Sequence, residues 1–267
     1  MAVAFESGYT LPGGDEPTTH ARIAHSGNWL SGGTVTASTT ATGYFADGPD
    51  NSLTYERWQP TASPATWEYD HGSAAECDYC VIGAHDFGTV SATVNVQAEI
   101  STVWTTLVSI SPTTDEPIMA IFEPRTQQKW RLSITYAGTA PTIGVVKFGA
   151  ALQMERPLYG EYTPPNFARA TEVRSSYSES GEFLGRTKQR TYLEFNINWS
   201  LLSRSWVDTN WYPALKAMES EPFFLAPIPS VHGDVSLCQT TQSPAAPTQQ
   251  ANGYVSASLP LRAFGYD

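Results

Sequence analysis

The feature that most constrains this chain is a series of short segments in which apolar and polar residues alternate between turn residues. Cys77–Asp86, Ala92–Ile100 and Trp130–Tyr136 are the clearest, and a compact aromatic block, ESEPFFLAP, follows at residues 219–227. Alternation with period two places one set of side chains on each face of a sheet. Strands of this length and spacing build antiparallel sandwiches rather than nucleotide-binding α/β folds. The expected fold class is therefore all-β, with two antiparallel β-sandwich domains, the first of jelly-roll type and the second with one short helix.

Residues 1–20 are rich in Gly, Pro and Thr and read as an extended arm that lies on a neighbouring subunit, since alone it buries too little apolar surface to order itself. Residues 21–155 read as the first sandwich, with about eight strands. Turns are expected at Gly83, Gly88, Pro112, Pro124, Gly138 and Pro141. Residues 156–165, RPLYGEYTPP, hold three prolines and read as a stiff linker. Residues 166–267 form the second unit. Ala170–Ser178 and Gly185–Trp199 read as paired strands, with Leu193, Phe195, Ile197 and Trp199 turned to the core. Asp208 or Thr209 caps a helix through about Glu219, with Trp211, Leu215 and Met218 on one face. Residues 240–252 read as a long polar loop, and Tyr254–Phe264 as the last strand.

Composition narrows the function. The chain has 267 residues, a net charge of −11 and no basic run, which argues against a nucleic-acid partner, because phosphate binding needs concentrated Lys and Arg. Only 15% of residues are charged, against an average of roughly 25%, which suits a rigid protein whose surface makes contacts. No stretch approaches the roughly 18 apolar residues of a membrane span, so membrane insertion is not expected. The N-terminus lacks the basic start and apolar core of a signal peptide, so synthesis and assembly in the cytoplasm are expected.

Chemistry-bearing residues are sparse. Cys77 and Cys80 form a CxxC with His71 and His85 nearby, but no second CxxC exists and Cys238 is distant. Residues three apart in a strand face opposite sides, so the cysteines read as reduced, packed hydrophobes, and no metal or other cofactor is expected. None of His20, His25, His71, His85 and His232 sits in a zinc-protease or nucleophile-elbow motif. Glu56, Glu68, Asp70, Glu76 and Asp78 are the carboxylates a glycosidase would draw on. Glu68 and Asp70 share one strand face, which reads as a solvated face. The chain is not expected to be an enzyme. If a sugar is held, Tyr55 and Trp58 are the candidate contacts, because their segment is rich in polar residues and proline.

The segments Trp67–Asp70, Tyr79–Gly88, Val94–Gln97, Arg131–Ile134 and Ile143–Val146 resemble, in this order, the galactose-binding-like, discoidin-type sandwich of tailed-bacteriophage tail proteins. The second unit is similar to siphophage-type tail-tip proteins in Phe183–Thr187, the Glu194–Trp199 strand, the short helix and Glu221–Leu225. The resemblance implies a structural component of the distal tail or baseplate in the virion. It implies a homo-oligomer, a hexamer or trimer ringed about the tail axis, that docks tail-tube, hub and fibre proteins. The alternative it leaves open is an adhesin contacting a host surface glycan. No concentrated set of acidic and amide residues marks a calcium site.

Overall fold

Period-two burial runs through the strands of the computed structural model, which describes residues 3–158, 162–241, 246–250 and 252–264. In chain order the first strands are β1 (Val3–Phe5), β2 (Arg22–Ala24), β3 (Thr34–Ala37), β4 (Ala65–Gly83), β5 (Thr93–Ile100), β6 (Val103–Ile110), β7 (Ile118–Thr135), β8 (Val145–Gly149) and β9 (Leu152–Gln153). They are followed by β10 (Arg169–Tyr177), β11 (Phe183–Leu202), β12 (Phe223–Ala226), β13 (Ser236–Thr240), β14 (Thr248–Gln249) and β15 (Val255–Ala263). The fold is all-β, as expected.

The strands β4 and β7 are 19 and 18 residues long. They pair antiparallel along both halves, with register shifts between Asp70 and Ala75 and between Cys77 and Tyr79. At these shifts both strands turn a corner and pass from one layer of the sandwich to the other. The first layer runs β3-β4-β7-β5-β6. In the second, β8 flanks the later half of β4 and β1 flanks the early half of β7. Trp67, Trp130, Phe122 and Phe148 fill the space between the layers, with Phe122 and Phe148 rings 5.8 and 5.9 Å from that of Trp130.

The corner explains two departures from the sequence reading. Pro124 was expected to end a strand, yet β7 runs through it. It lies at the register shift, outside the ladder, where a missing N–H costs nothing. Cys77 and Cys80 were expected on opposite faces, but both lie in the same core. Across the shift between Cys77 and Tyr79 the partner of β4 moves from Arg125 to Ile121, and the alternation breaks there, so that Cys80 rejoins the face of Cys77 while Tyr79 and Val81 take the other. Burial pushes both thiols well above their usual range.

The second sheet runs β10-β11-β15-β13-β12-β2-β9, with β14 on β15. This moves the boundary expected at residues 21 and 155, because β2 and β9 belong to the second sheet and not to the sandwich. The start of the N-terminal arm is tied to its own chain, where Val3–Phe5 pairs in parallel with Met119–Ile121. Of the expected linker, residues 159–161 fall outside the described residues, and Leu158 packs on the second core. The expected loop at 240–252 lies partly outside them as well.

One face of the second sheet is covered by a helical run of α1 (Arg204–Trp206), a π turn (Val207–Trp211) and α2 (Tyr212–Ser220). The run starts before the expected Asp208, because Ser203 caps it by accepting from the Trp206 N–H at 3.4 Å. Pro213 has no N–H to give to the residue four before it, and the π turn takes up the resulting register change. Trp211, Leu215 and Met218 are buried, and the Trp211 ring lies 5.4 Å from Trp199. Phe195, Ile197 and Trp199 face this core as the alternation predicts.

The other face of the second sheet packs on the outer face of the sandwich. Val81, Met119, Ile121 and Val145 meet Phe224, Ala226 and Leu237 there. Gly83 makes room for this seam: a Cβ on it would lie 2.9 Å from Phe224 Cζ. The molecule is thus a stack of three β layers and one helical layer.

Candidate functional site

Residues 38–64 connect β3 to β4 and hold both sequence-predicted contacts. Trp58 is fully buried. Its backbone exchanges hydrogen bonds with Ile143 at 2.9 and 3.0 Å, and its indole N–H donates to the Thr39 carbonyl at 2.9 Å. It is a core residue that leaves no surface for a sugar to reach, where the sequence reading had it as a candidate contact. Tyr55 is 73% exposed and stays available on the surface.

Beside this loop lies a cleft of about 410 Å³, between the sandwich and the second unit. Asp50, Asn51, Ser52 and Leu53 come from the loop, Ser26, Trp29 and Ser31 from the segment after β2, Lys147 from β8, and Glu221 from the end of α2. The segment after β2 is held firmly. Tyr79 donates its hydroxyl proton to Asn28 Oδ1 at 2.8 Å, and Trp29 bridges Gly149. Gly149 is required there, since a Cβ would lie 2.0 Å from the Asn28 carbonyl oxygen.

Lys147 is the chemical centre of the cleft. Period two places Val146 and Phe148 in the sandwich core, so Lys147 faces outward on an edge strand beneath the second unit, where it is 7% exposed. Its ammonium donates to the Asp50 backbone carbonyl and lies 3.5 Å from Asp50 Oδ1. It also sits 5.0 Å from the centre of the Trp29 ring, a cation–π distance. Burial lowers the lysine pKa and raises that of Asp50, and each charge partly restores the other. A buried charge persists only when paired in this way. Two of the three ammonium protons face Asp50, which leaves one for an acceptor in the cleft. The Trp29 Nε1–H is buried without a partner among the described residues.

The other candidates disperse. Glu68 and Asp70 share a face, as expected, and both meet Lys129, at 3.8 and 3.9 Å. Asp70 also accepts from the Gly72 N–H and the Gln128 amide at 2.8 Å, a turn-holding role. Glu56 accepts from Asn51 at 2.6 Å. His85 is buried against Phe87, with ring centroids 4.6 Å apart, and burial lowers its pKa to about 4. Asp78 accepts from the Ala151 N–H at 2.8 Å, and burial raises its pKa to about 7. Among the described residues, no three His, Cys, Asp or Glu side chains converge as a metal site would require. Trp29, Asp50 and Lys147 were missed from the sequence. The available signal was a lysine inside the apolar run IGVVKF, which demands a buried partner.

No protein-family model matches the chain, and no curated protein matches it. The chain is similar to the solved structure of chitosan-binding module 1 from a chitosanase/glucanase of Paenibacillus sp. IK-5, at 20% identity over 46% of this chain and 98% of that one, with a TM-score of 0.40. It is similar to the family 32 carbohydrate-binding module of C. perfringens NanJ in complex with galactose, at 14% identity over 48% of this chain and 98% of that one, TM-score 0.40. A family 89 glycoside hydrolase from Clostridium perfringens is similar at 17% identity over 46% of this chain but 14% of that one, TM-score 0.41.

Proposed function

We propose that this chain is a non-enzymatic carbohydrate-binding protein that holds a sugar in the Trp29–Lys147 cleft. The observation that carries the reading is the pairing, in one cleft, of an indole with a buried ammonium that keeps a spare proton. A sugar offers hydroxyl oxygens to such a donor and apolar C–H edges to an aromatic or aliphatic wall. Ser26, Ser31, Asn51 and Ser52 add groups that both donate and accept, and Leu53, 43% exposed, adds apolar wall. The volume lies within the range of small-ligand sites, roughly 300–1,000 Å³. Asp50 is engaged by Lys147, which suits holding a ligand better than proton transfer. The test is a glycan array followed by calorimetry on the best hit. Trp29→Ala should weaken binding at least tenfold, since a central aromatic anchor is worth about 2 kcal/mol or more. Lys147→Met should weaken it similarly while the fold persists. An unbound array, or full affinity in both variants, sinks the reading.

A second reading, a structural subunit of a phage tail tip or baseplate in which copies ring the tail axis, is favoured by the ribbon of β10 and β11. Residues 183–192 of β11 pair with β10 alone, beyond the reach of β15, and the ribbon is mostly exposed on both faces. Its tip carries Tyr177, Phe183 and Leu184, each at least 60% exposed. Residues 169–190 hold five of the 15 Lys and Arg and three of the 26 Asp and Glu, so the ribbon is positive on a chain of net charge −11. A two-stranded ribbon is marginal alone, and an acidic, apolar surface on another copy would complete it. The double variant Phe183→Asp, Leu184→Asp should then lower the mass seen by light scattering from an oligomer to a monomer. A wild-type protein that is already monomeric at high concentration would remove this reading.

A further inference from the structure

We infer that the carbohydrate is an extended oligosaccharide, which crosses the turn at Ser26–Asn28 and places further sugars in a second cleft beside Trp206; this rests on the carbohydrate reading above. The second cleft measures about 610 Å³ and is walled by His25, Gly27 and Asn28 on one side and by Trp206, Thr209 and Asn210 on the other. Ser26 and Trp29, from the same turn, wall the first cleft. The two clefts are therefore separated by one turn of chain.

That turn is built to stay low and rigid. Asn28 and Trp29 donate their N–H groups to the His25 carbonyl at 2.9 and 3.2 Å. The Ser26 hydroxyl donates to the Ala217 carbonyl at 3.3 Å, which ties the turn to α2. Gly27 has no side chain to raise the crest, and an added Cβ would lie 3.0 Å from the His25 ring and 3.4 Å from Ala217.

The second cleft shares the indole and the neutral polar groups of the first, with the carboxylates of Asp15 and Glu16 in place of an ammonium. Trp206 is half-buried and Thr209 is exposed. Gln153 spends its carbonyl on the Glu16 N–H at 2.7 Å, which leaves its NH₂ to donate. Asn210 spends its NH₂ on the Trp206 carbonyl at 3.3 Å, which leaves its carbonyl to accept. The Thr209 hydroxyl has no partner among the described residues. An indole, an amide donor, an amide acceptor and a hydroxyl are what a further sugar unit needs. A ligand on both sides of the turn gains the second set of contacts without a second loss of translational freedom.

The experiment is a synthetic glycan array of neutral hexose and N-acetylhexosamine chains from one to six units, followed by titration of the strongest chain and its shorter fragments. At least a tenfold gain in affinity is expected between one unit and four. Trp206→Ala and Thr209→Arg should each erase that gain and leave single-unit affinity unchanged. Thr209→Arg blocks the cleft from an exposed position and spares the core, so a folding defect in Trp206→Ala would not decide the matter. Affinity independent of length, or a gain that survives Thr209→Arg, overturns the inference and leaves the first cleft standing. Silence across the whole array removes both.

Discussion

Replacing Phe224 with alanine is expected to cost about 3–5 kcal/mol, the usual loss for a buried phenylalanine whose site cannot collapse. The ring is fully buried in the seam between the sandwich and the second sheet. The backbone at Gly83 closes on its tip, and both walls are strands, so the void would persist. Denaturant unfolding followed by tryptophan fluorescence reads the effect. Trp67 and Trp130 report the sandwich, and Trp199 and Trp211 the second unit. The wild-type chain should unfold in one transition, and Phe224→Ala should move every signal together. Phe223 points the other way, into the helix-covered core. Phe223→Ala should cost as much but through different partners. If Phe224→Ala shifts the midpoint by less than the equivalent of 1 kcal/mol, the seam does not couple the layers.

The second large effect is on acid stability. His25 and His85 each have a pKa lowered to about 4, in both cases chiefly by burial. A base with a depressed folded pKa gives stability that is present above its unfolded value, near 6.5, and lost as pH falls toward 4. At about 1.4 kcal/mol per pKa unit, each histidine accounts for roughly 3 kcal/mol between pH 7 and pH 4. Asp78 acts oppositely. Its folded pKa, raised to about 7, gives stability that is full below about 4 and lost as pH rises through 7. Falling pH therefore relieves Asp78 while it strains the histidines. Asparagine keeps an acceptor where the histidine Nδ1 receives the Gly27 and Phe87 N–H groups. The pair His25→Asn, His85→Asn should therefore flatten the loss of stability from pH 7 to pH 4.5 by several kcal/mol. Asp78→Asn should steepen it. Parallel pH profiles for wild type and variants would show that these groups titrate normally.

Much of the fold was legible in the residues because alternation is a local property. The strands around Val94, Trp104 and Leu132, the paired strands of the ribbon, and the buried face of Trp211, Leu215 and Met218 all follow from short-range periodicity. The corner was not legible. The proline at 124 and the CxxC at 77–80 each signal a break or a face, and one shift in the pairing register between β4 and β7 overturns both signals. Register is set by partner strands far away in sequence.

The candidate site divides in the same way. Sequence could point to the loop around Tyr55 as polar and aromatic, but it could not show that Trp58, three residues on, turns inward to bridge Ile143. An aromatic residue in such a loop suits core and surface equally, and only the partner strand decides between them. The cleft was further out of reach. Trp29, Asp50, Lys147 and Glu221 come from four separate segments and meet only where the second unit closes over the edge of the sandwich. What the sequence alone determined is an all-β chain with alternating faces and an amphipathic helix, because each depends on residue type and local spacing. The tertiary structure decided the seam, the corner and the cleft, because each depends on pairing or burial between segments that are distant in the sequence.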